Sequence, residues 1–206
     1  TGLLTIGSLD IGHGLGGDTN STAVGTDALD TSLSTSTHNT AVGWNALTAI
    51  NHADADRNTA VGAGAGQAIT SGMRNTGVGA YALDGTDDGD NNSSLGHSAL
   101  SANCGDDNVA VGSTALTVFT GSDATVVGSG AADAATSAAD LTAVGKNAAG
   151  ATDDGDNNTA VGADALGANC ADDNTAIGRR ALLAFTGSNA TAVGSGALDA
   201  ATTAAG

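Results

Sequence analysis

Proline and glutamate are absent from these 206 residues; tryptophan, tyrosine and methionine occur once each, and phenylalanine and cysteine twice. Each shortage excludes something. With so few large side chains the chain cannot fill a broad globular interior, so its core must be thin, two closely apposed layers lined by Ala, Val and Leu. Two cysteines make neither a disulfide framework, a zinc site nor a catalytic pair. Cations are scarce too: Lys146, Arg57, Arg74, Arg179 and Arg180 stand against 22 acidic residues, all Asp, for a net charge of -17. Nucleic acid and anionic membrane are therefore not expected partners, since phosphate neutralisation needs clustered Lys and Arg. No apolar run approaches the ~18 residues of a membrane-spanning helix. Asp without Glu favours turns over helices, because the short carboxylate bonds nearby backbone. The excess charge itself reads as a solubilising coat on a β protein with exposed edges.

What the chain has in quantity is glycine, 32 residues of it, and much of it is periodic. The skeleton Asn-Thr-Ala-Val-Gly-x-x-Ala-Leu, complete at Asn158 to Leu166, returns from end to end. Its marker glycines are Gly7, Gly25, Gly43, Gly62, Gly79, Gly96, Gly112, Gly128, Gly145, Gly162, Gly178 and Gly194, a nearly even file. A period this short over twelve copies predicts an all-β fold: one continuous parallel β-solenoid, or β-roll, over residues 1–206, of about twelve 16–19-residue coils stacked on their neighbours. At ~4.8 Å per coil such a stack extends ~58 Å. A helical alternative, strongest for the Ala-rich Gly130 to Asp140, is opposed by a glycine in every repeat and by β-branched residues at strand spacing.

Within Thr-Ala-Val-Gly the Thr and Val share one face and the Ala takes the other. The apolar file Ile6, Val24, Val42, Val61, Val78, Leu95, Val111, Val127, Val144, Val161, Ile177 and Val193 is the expected core ladder, packed against the Leu of Ala-Leu pairs such as Ala82-Leu83 and Ala115-Leu116. The small Ala file is then expected to face a second surface at close range, such as a neighbouring chain. The marker glycines are the expected turns, where a positive φ or a bulge redirects the backbone. The Asn before each Thr is expected to form a stacked side-chain ladder that fixes coil register.

A longer period overlies the first. Asp87 to Asn92 returns as Asp153 to Asn158, Cys104 as Cys170 and Phe119 as Phe185, each four coils later. The chain starts at Thr1 without a basic region followed by an apolar one, as a processed or excised piece does. Neither end carries a capping element, and joining Gly206 to a second Thr1 keeps the marker spacing within the range seen along the chain, so copies are expected to stack head to tail.

The repeated Asn-Thr-Ala-Val-Gly-x-x-Ala-Leu, as at Asn39 to Leu47 and Asn158 to Leu166, resembles the YadA-like head repeat of trimeric autotransporter adhesins, and more closely the similar repeats of phage tail fibres and bacterial surface proteins. The resemblance covers almost the whole chain. It implies a left-handed parallel β-roll, commonly a homotrimer, serving as adhesive or spacer shaft outside the cell. Coils here are longer than the usual adhesin head coil, and Thr often stands where those heads carry an apolar residue.

Other candidate sites are sparse. Asp87, Asp88, Asp90, Asp153, Asp154 and Asp156 lie in two oxygen-rich loops with a Gly turn, the composition of a Ca²⁺ ligand set, but neither loop has an EF-hand length or a terminal Glu. The solvated turn is the plainer reading. Cys104 and Cys170, four coils apart, would lie ~19 Å from one another on a 4.8 Å rise, too far to pair within the chain. Gly12 to Gly17 fits G-x-G-x-x-G without a βαβ context, and the four His fall at unrelated phases. No nucleophile elbow or phosphate loop occurs, so no enzymatic activity and no cofactor beyond the Ca²⁺ option are expected. The Thr file suggests an ice-binding ladder, but its face is shared with Val and no Thr-x-Thr pairs recur in register. The expected function is a structural subunit of an extracellular fibre or filament, self-assembling by stacking, trimerisation or both; the alternative is an adhesin or phage-fibre shaft whose loops bind host glycan or receptor.

Overall fold

A glycine that recurs once in every repeat turns the backbone at the same point of each circuit, and the β-branched residues before it extend the chain into a short strand. The structure, a computed structural model, describes residues 4–6, 9–12, 20–30, 36–152 and 154–202. Among these residues there is no helix. The chain divides into two compact units, Thr1–Asp107 and Asn108–Gly206.

The first unit holds β1 (Leu4–Ile6), β2 (Leu9–Gly12), β3 (Thr22–Val24), β4 (Thr40–Val42), β5 (Thr59–Val61), β6 (Thr76–Val78) and β7 (Ser93–Leu95). The second holds β8 (Val109–Val111), β9 (Thr125–Val127), β10 (Thr142–Val144), β11 (Thr159–Val161), β12 (Thr175–Ile177) and β13 (Thr191–Val193). From β3 to β7, and again from β8 to β13, neighbours pair in parallel with like on like: Thr22 beside Thr40, Ala143 beside Ala160, Val161 beside Ile177. Each unit is thus a parallel β-solenoid with one three-residue strand per coil, as the period predicts.

The first expected coil is not one. β1 pairs with β2, and β2 with β3, in antiparallel fashion. The reason is visible in the sequence: Leu9 and Ile11 alternate around Asp10 to form a strand of their own, with only Gly7 and Ser8 separating it from β1, a spacing for a hairpin and not for a coil. Gly7 itself lies outside the described residues, as do His13 to Gly17 of the glycine-rich motif.

The strands also face the other way from expectation. In every strand from β3 to β13 the middle residue is buried and the outer two are half-buried or exposed. The Ala file lines the core, and Val24, Val42, Val61, Val78, Val111, Val127, Val144, Val161, Ile177 and Val193 lie outside it. Volume explains this. After each marker Gly the chain makes a tight turn in which the Ala N–H donates back to the Gly carbonyl, as Ala82 does to Gly79 at 3.3 Å. The next residue, usually Leu, is then thrown into the interior, fully buried at Leu29, Leu47, Leu83, Leu100, Leu116, Leu166 and Leu182. That Leu meets the strand directly: a Cβ built on Gly77 would lie 3.3 Å from Leu83 Cδ1. The inner strand position has room for Ala, not Val. The exception fits the rule, since buried Val126 belongs to the coil whose Leu is replaced by Ala132.

These Leu residues have positive φ, 52° to 56° where they are buried. For an L-residue that costs roughly 1–2 kcal/mol, comparable with the 1.5–3 kcal/mol that burying a Leu returns. The N–H groups of Leu29, Leu47, Leu83, Leu116, Leu166 and Leu182 are satisfied by the next coil, Leu83 donating to Ala99 and Leu166 to Ala181.

Buried asparagines hold the register. Asn58 Oδ1 accepts the N–H of Asn75 at 2.9 Å, Asn75 Oδ1 that of Asn92 at 2.8 Å, and Asn158 Oδ1 that of Asn174 at 2.9 Å. Their amides donate to carbonyls, Asn58 to Gly72 and Asn75 to Gly89. The expected ladder is present, but it joins side chain to backbone rather than amide to amide. Ala124, Leu141 and Ala190 interrupt it.

A second ladder runs the opposite way. Asp90 Oδ1 accepts the N–H of Met73 at 2.8 Å, Asp156 Oδ1 that of Ala139 at 2.8 Å, and Asp172 Oδ1 that of Asp156 at 3.0 Å, so each carboxylate reaches back one coil. The sequence signal is Asp-x-Asn, at Asp56, Asp90, Asp106, Asp156 and Asp172.

Candidate interaction face

Because Ala is turned inward, Thr and Val project together from the outside of each strand and form two adjacent files. Exposure reaches 51% at Leu95 and 69% at Val193, and the Thr, Ser or Val two residues earlier is half-buried or exposed throughout. β-Branched side chains on a regular parallel sheet have little rotamer freedom, so the face is stiff and its rungs repeat at the strand spacing of about 4.8 Å. From β3 to β7 and from β8 to β13 no charged residue stands at either outward position.

Two borders flank this face. From β4 onward the leading border is the residue two before the outward Thr, Ser or Val, in left-handed conformation and exposed: His38, Arg57, Arg74, Asn91 and Asp107 in the first unit, Asp123, Asp140, Asn157, Asp173 and Asn189 in the second. The trailing border is the pair after each marker Gly, where Trp44, Tyr81 and His97 stand in the first unit and Lys146, Arg179 and Arg180 in the second. All five cations of the chain lie on one or other border. Trp44 is 51% exposed and Tyr81 40%, and the Tyr81 and His97 rings meet edge to face with centroids 6.2 Å apart. A Cβ on Gly64 would come within 2.8 Å of the Tyr81 ring, so the tyrosine lies over a bare backbone.

The acidic loops behave as structure. Asp87 accepts a hydrogen bond from the Thr70 hydroxyl, and Asp90 and Asp156 belong to the carboxylate ladder. Asp88 and Asp154 are exposed, and Asp153 lies outside the described residues. Among the described residues no three His, Cys or Asp side chains gather where they could hold a metal ion, and no helix is long and apolar enough to cross a membrane.

Cys104 and Cys170 are buried thiols, each beside a threonine hydroxyl one coil back, Thr86 at 3.2 Å and Thr152 at 3.6 Å. Burial pushes the Cys170 thiol up, more than the Thr152 hydroxyl lowers it. Both should resist iodoacetamide in the folded protein at neutral pH and react once denaturant is added; mass spectrometry showing prompt alkylation of the native chain would contradict this.

Among the described residues Asp84 is the one strained carboxylate. Its Oδ1 is buried with no hydrogen-bond partner, and burial raises its pKa against the opposing pull of its own backbone N–H and of His97. A carboxyl whose folded pKa exceeds its unfolded value favours folding when protonated, and that advantage is lost as pH rises through the folded pKa. Asp84→Asn should therefore raise the melting temperature at pH 7, with the gain shrinking as pH falls through the raised folded pKa and gone below the usual aspartate range. Calorimetry across that range is the check.

No family model, curated protein or solved structure matches the chain. Fold and face together define a parallel β-solenoid repeat protein that presents an uncharged β-branched face between two polar borders.

Proposed function

We propose that this protein is a structural subunit of an extracellular fibre or filament, in which copies associate laterally through the Thr–Val face. The observation that carries this reading is the file of exposed and half-buried Val, Leu and Ile along the outer face of each unit, on a chain otherwise rich in Asp. A contiguous apolar strip rimmed by polar residues is the kind of surface that proteins cover with a partner. The likeness of the repeat to trimeric autotransporter adhesin heads and phage tail fibres supports a homotrimer working outside the cell. Stacking end to end is the weaker form, because β2 lies antiparallel on β3 and occupies the edge that a preceding parallel coil would use. No catalytic role belongs to this reading.

The experiment is sedimentation equilibrium on the wild type and on a Val144→Asp/Val161→Asp variant, which places charge on the outer face without touching the Ala core. The wild type should associate and the variant should be monomeric with an unchanged far-ultraviolet spectrum. A wild type that stays monomeric at high concentration ends the proposal.

A second reading, an adhesin or phage-fibre shaft that binds host glycan, is favoured by Trp44 and Tyr81, the only Trp and Tyr in the chain and both exposed on one border. A glycan array that responds to the wild type and not to Trp44→Ala supports it; an array with no response removes it.

A further inference from the structure

Threonine hydroxyls in the loops of this chain are spent on the chain itself. Thr48 and Thr117 donate to the carbonyls of Asn45 and Thr114, Thr86 to that of Ala102, and Thr120 and Thr186 to those of Thr136 and Thr202 one coil on. The threonines that open the strands behave differently. From β3 to β6 and from β9 to β13 every strand begins with an outward Thr, and among the described residues none of these hydroxyls has a hydrogen-bond partner in the protein. A whole file of donors and acceptors is left for something outside the chain.

The geometry of the file says what fits it. Like stacks on like, Thr40 beside Thr59 and Thr159 beside Thr175, so hydroxyl and methyl recur together from rung to rung at about 4.8 Å, close to the oxygen repeat of hexagonal ice. The β-branched side chains are stiff, so the spacing is held. No outward position in these stretches is charged, and on a chain of net charge -17 that absence matches an uncharged partner and spares the face the tightly bound water of ionic groups. Valine beside threonine speaks against an ice ladder only where the Val file is core. Here Val144 and Val161 lie outside with their threonines, and apolar methyls at a fixed interval order the water over them while the hydroxyls bond to it.

We infer that the Thr–Val face binds ice: the water it orders joins the crystal lattice, and the adsorbed chain stops that part of the crystal from growing. The inference goes beyond the fibre reading and does not rest on it. Lateral association depends on concentration, and in dilute solution the uncovered face is open to ice.

Thermal hysteresis and the habit of single ice crystals, measured by nanolitre osmometry on the full chain, test this. The wild type should facet a crystal and hold it unchanged over an interval below its melting point. Thr142→Lys/Thr159→Lys sets two long charged side chains on the outer face of the second unit without touching the Ala core, and should lose most of that interval with an unchanged far-ultraviolet spectrum. The milder pair Thr142→Ser/Thr159→Ser copies Ser93 of β7, removes only the methyls, and should lose part of it. Asp140→Asn, on the leading border, should keep it. Wild-type crystals that grow as round discs with no interval overturn the inference. So does an interval that survives in both threonine pairs, or one that Asp140→Asn abolishes as fully as the lysine pair does. Sedimentation of the same samples reports lateral association separately, so either reading can fail while the other stands.

Discussion

Gly128→Ala is expected to destroy the cooperative melting of the coils around it, while the same substitution at Gly194 should be survivable. Both glycines have a φ that L-residues rarely adopt, +150° and +130°. That shared backbone strain costs roughly 1–3 kcal/mol. The difference lies in the neighbours. A Cβ on Gly128 would sit 2.2 Å from the carbonyl oxygen of Gly145 and 2.5 Å from its carbon, whereas on Gly194 it would meet nothing nearer than Ala197 Cβ at 3.9 Å. The atoms in the way at Gly145 are backbone, held by its N–H donating to Val127 at 2.7 Å, so relief requires the two coils to separate and that bond to break. The total should exceed ~4 kcal/mol, in the range of severe single substitutions. Thermal unfolding followed by circular dichroism on both variants decides the matter; equal destabilisation would show that φ alone selects glycine here and that the coil-to-coil contact is irrelevant.

Asn75→Ala is the second large effect, and it acts through hydrogen bonds instead of sterics. Asn75 is fully buried, its Oδ1 accepts the Asn92 N–H at 2.8 Å, and its amide donates to the Gly89 carbonyl at 2.7 Å. Truncation strands one buried donor and one buried acceptor at about 1–3 kcal/mol each, so a loss of roughly 2–6 kcal/mol is expected. That is a large share of the ~5–15 kcal/mol that keeps an ordinary domain folded. Asn75→Asp separates the two halves of the job. It retains the acceptor for Asn92 but sets a carboxylate against the Gly89 carbonyl, so its folded pKa should rise and its destabilisation should ease on acidification. Native-state hydrogen exchange at the Asn92 amide reports the ladder directly. Protection there unchanged in Asn75→Ala would remove the ladder from any role in register.

Much of this architecture is legible in the sequence because it depends on what each coil must do alike. A glycine whose backbone touches the next glycine leaves no alternative residue, so the marker file survives every drift in the loops. An asparagine that both gives and accepts between coils is nearly as hard to replace, and it too repeats. The Asp ladder is written with the same regularity, as Asp-x-Asn, but it is easily overlooked beneath the general acidity. Asp90 and Asp156 read on composition as solvated turn residues, with cation ligation the lesser option, whereas in the fold each accepts the backbone N–H of a residue one coil back. The N-terminal hairpin is not read from the sequence: the marker spacing suggests a first coil at Gly7, but the alternation of Leu9, Asp10 and Ile11 forms a strand of its own and the local antiparallel pairing prevails.

The sequence by itself determined that the chain winds in short coils of nearly constant length, that like residues stack on like, and that Thr and Val share a face opposite Ala. It could not say which face is inside. Alternation divides a strand into two sides without labelling them, and hydrophobicity would put Val within. Only the tertiary structure decided otherwise, because the left-handed turn after each glycine drives a Leu across the narrow interior and leaves space opposite it for a methyl group, as the 3.3 Å approach of Leu83 to a Cβ at Gly77 demonstrates. The larger apolar residues are thereby turned outward, and the surface they make is what the proposed assembly uses.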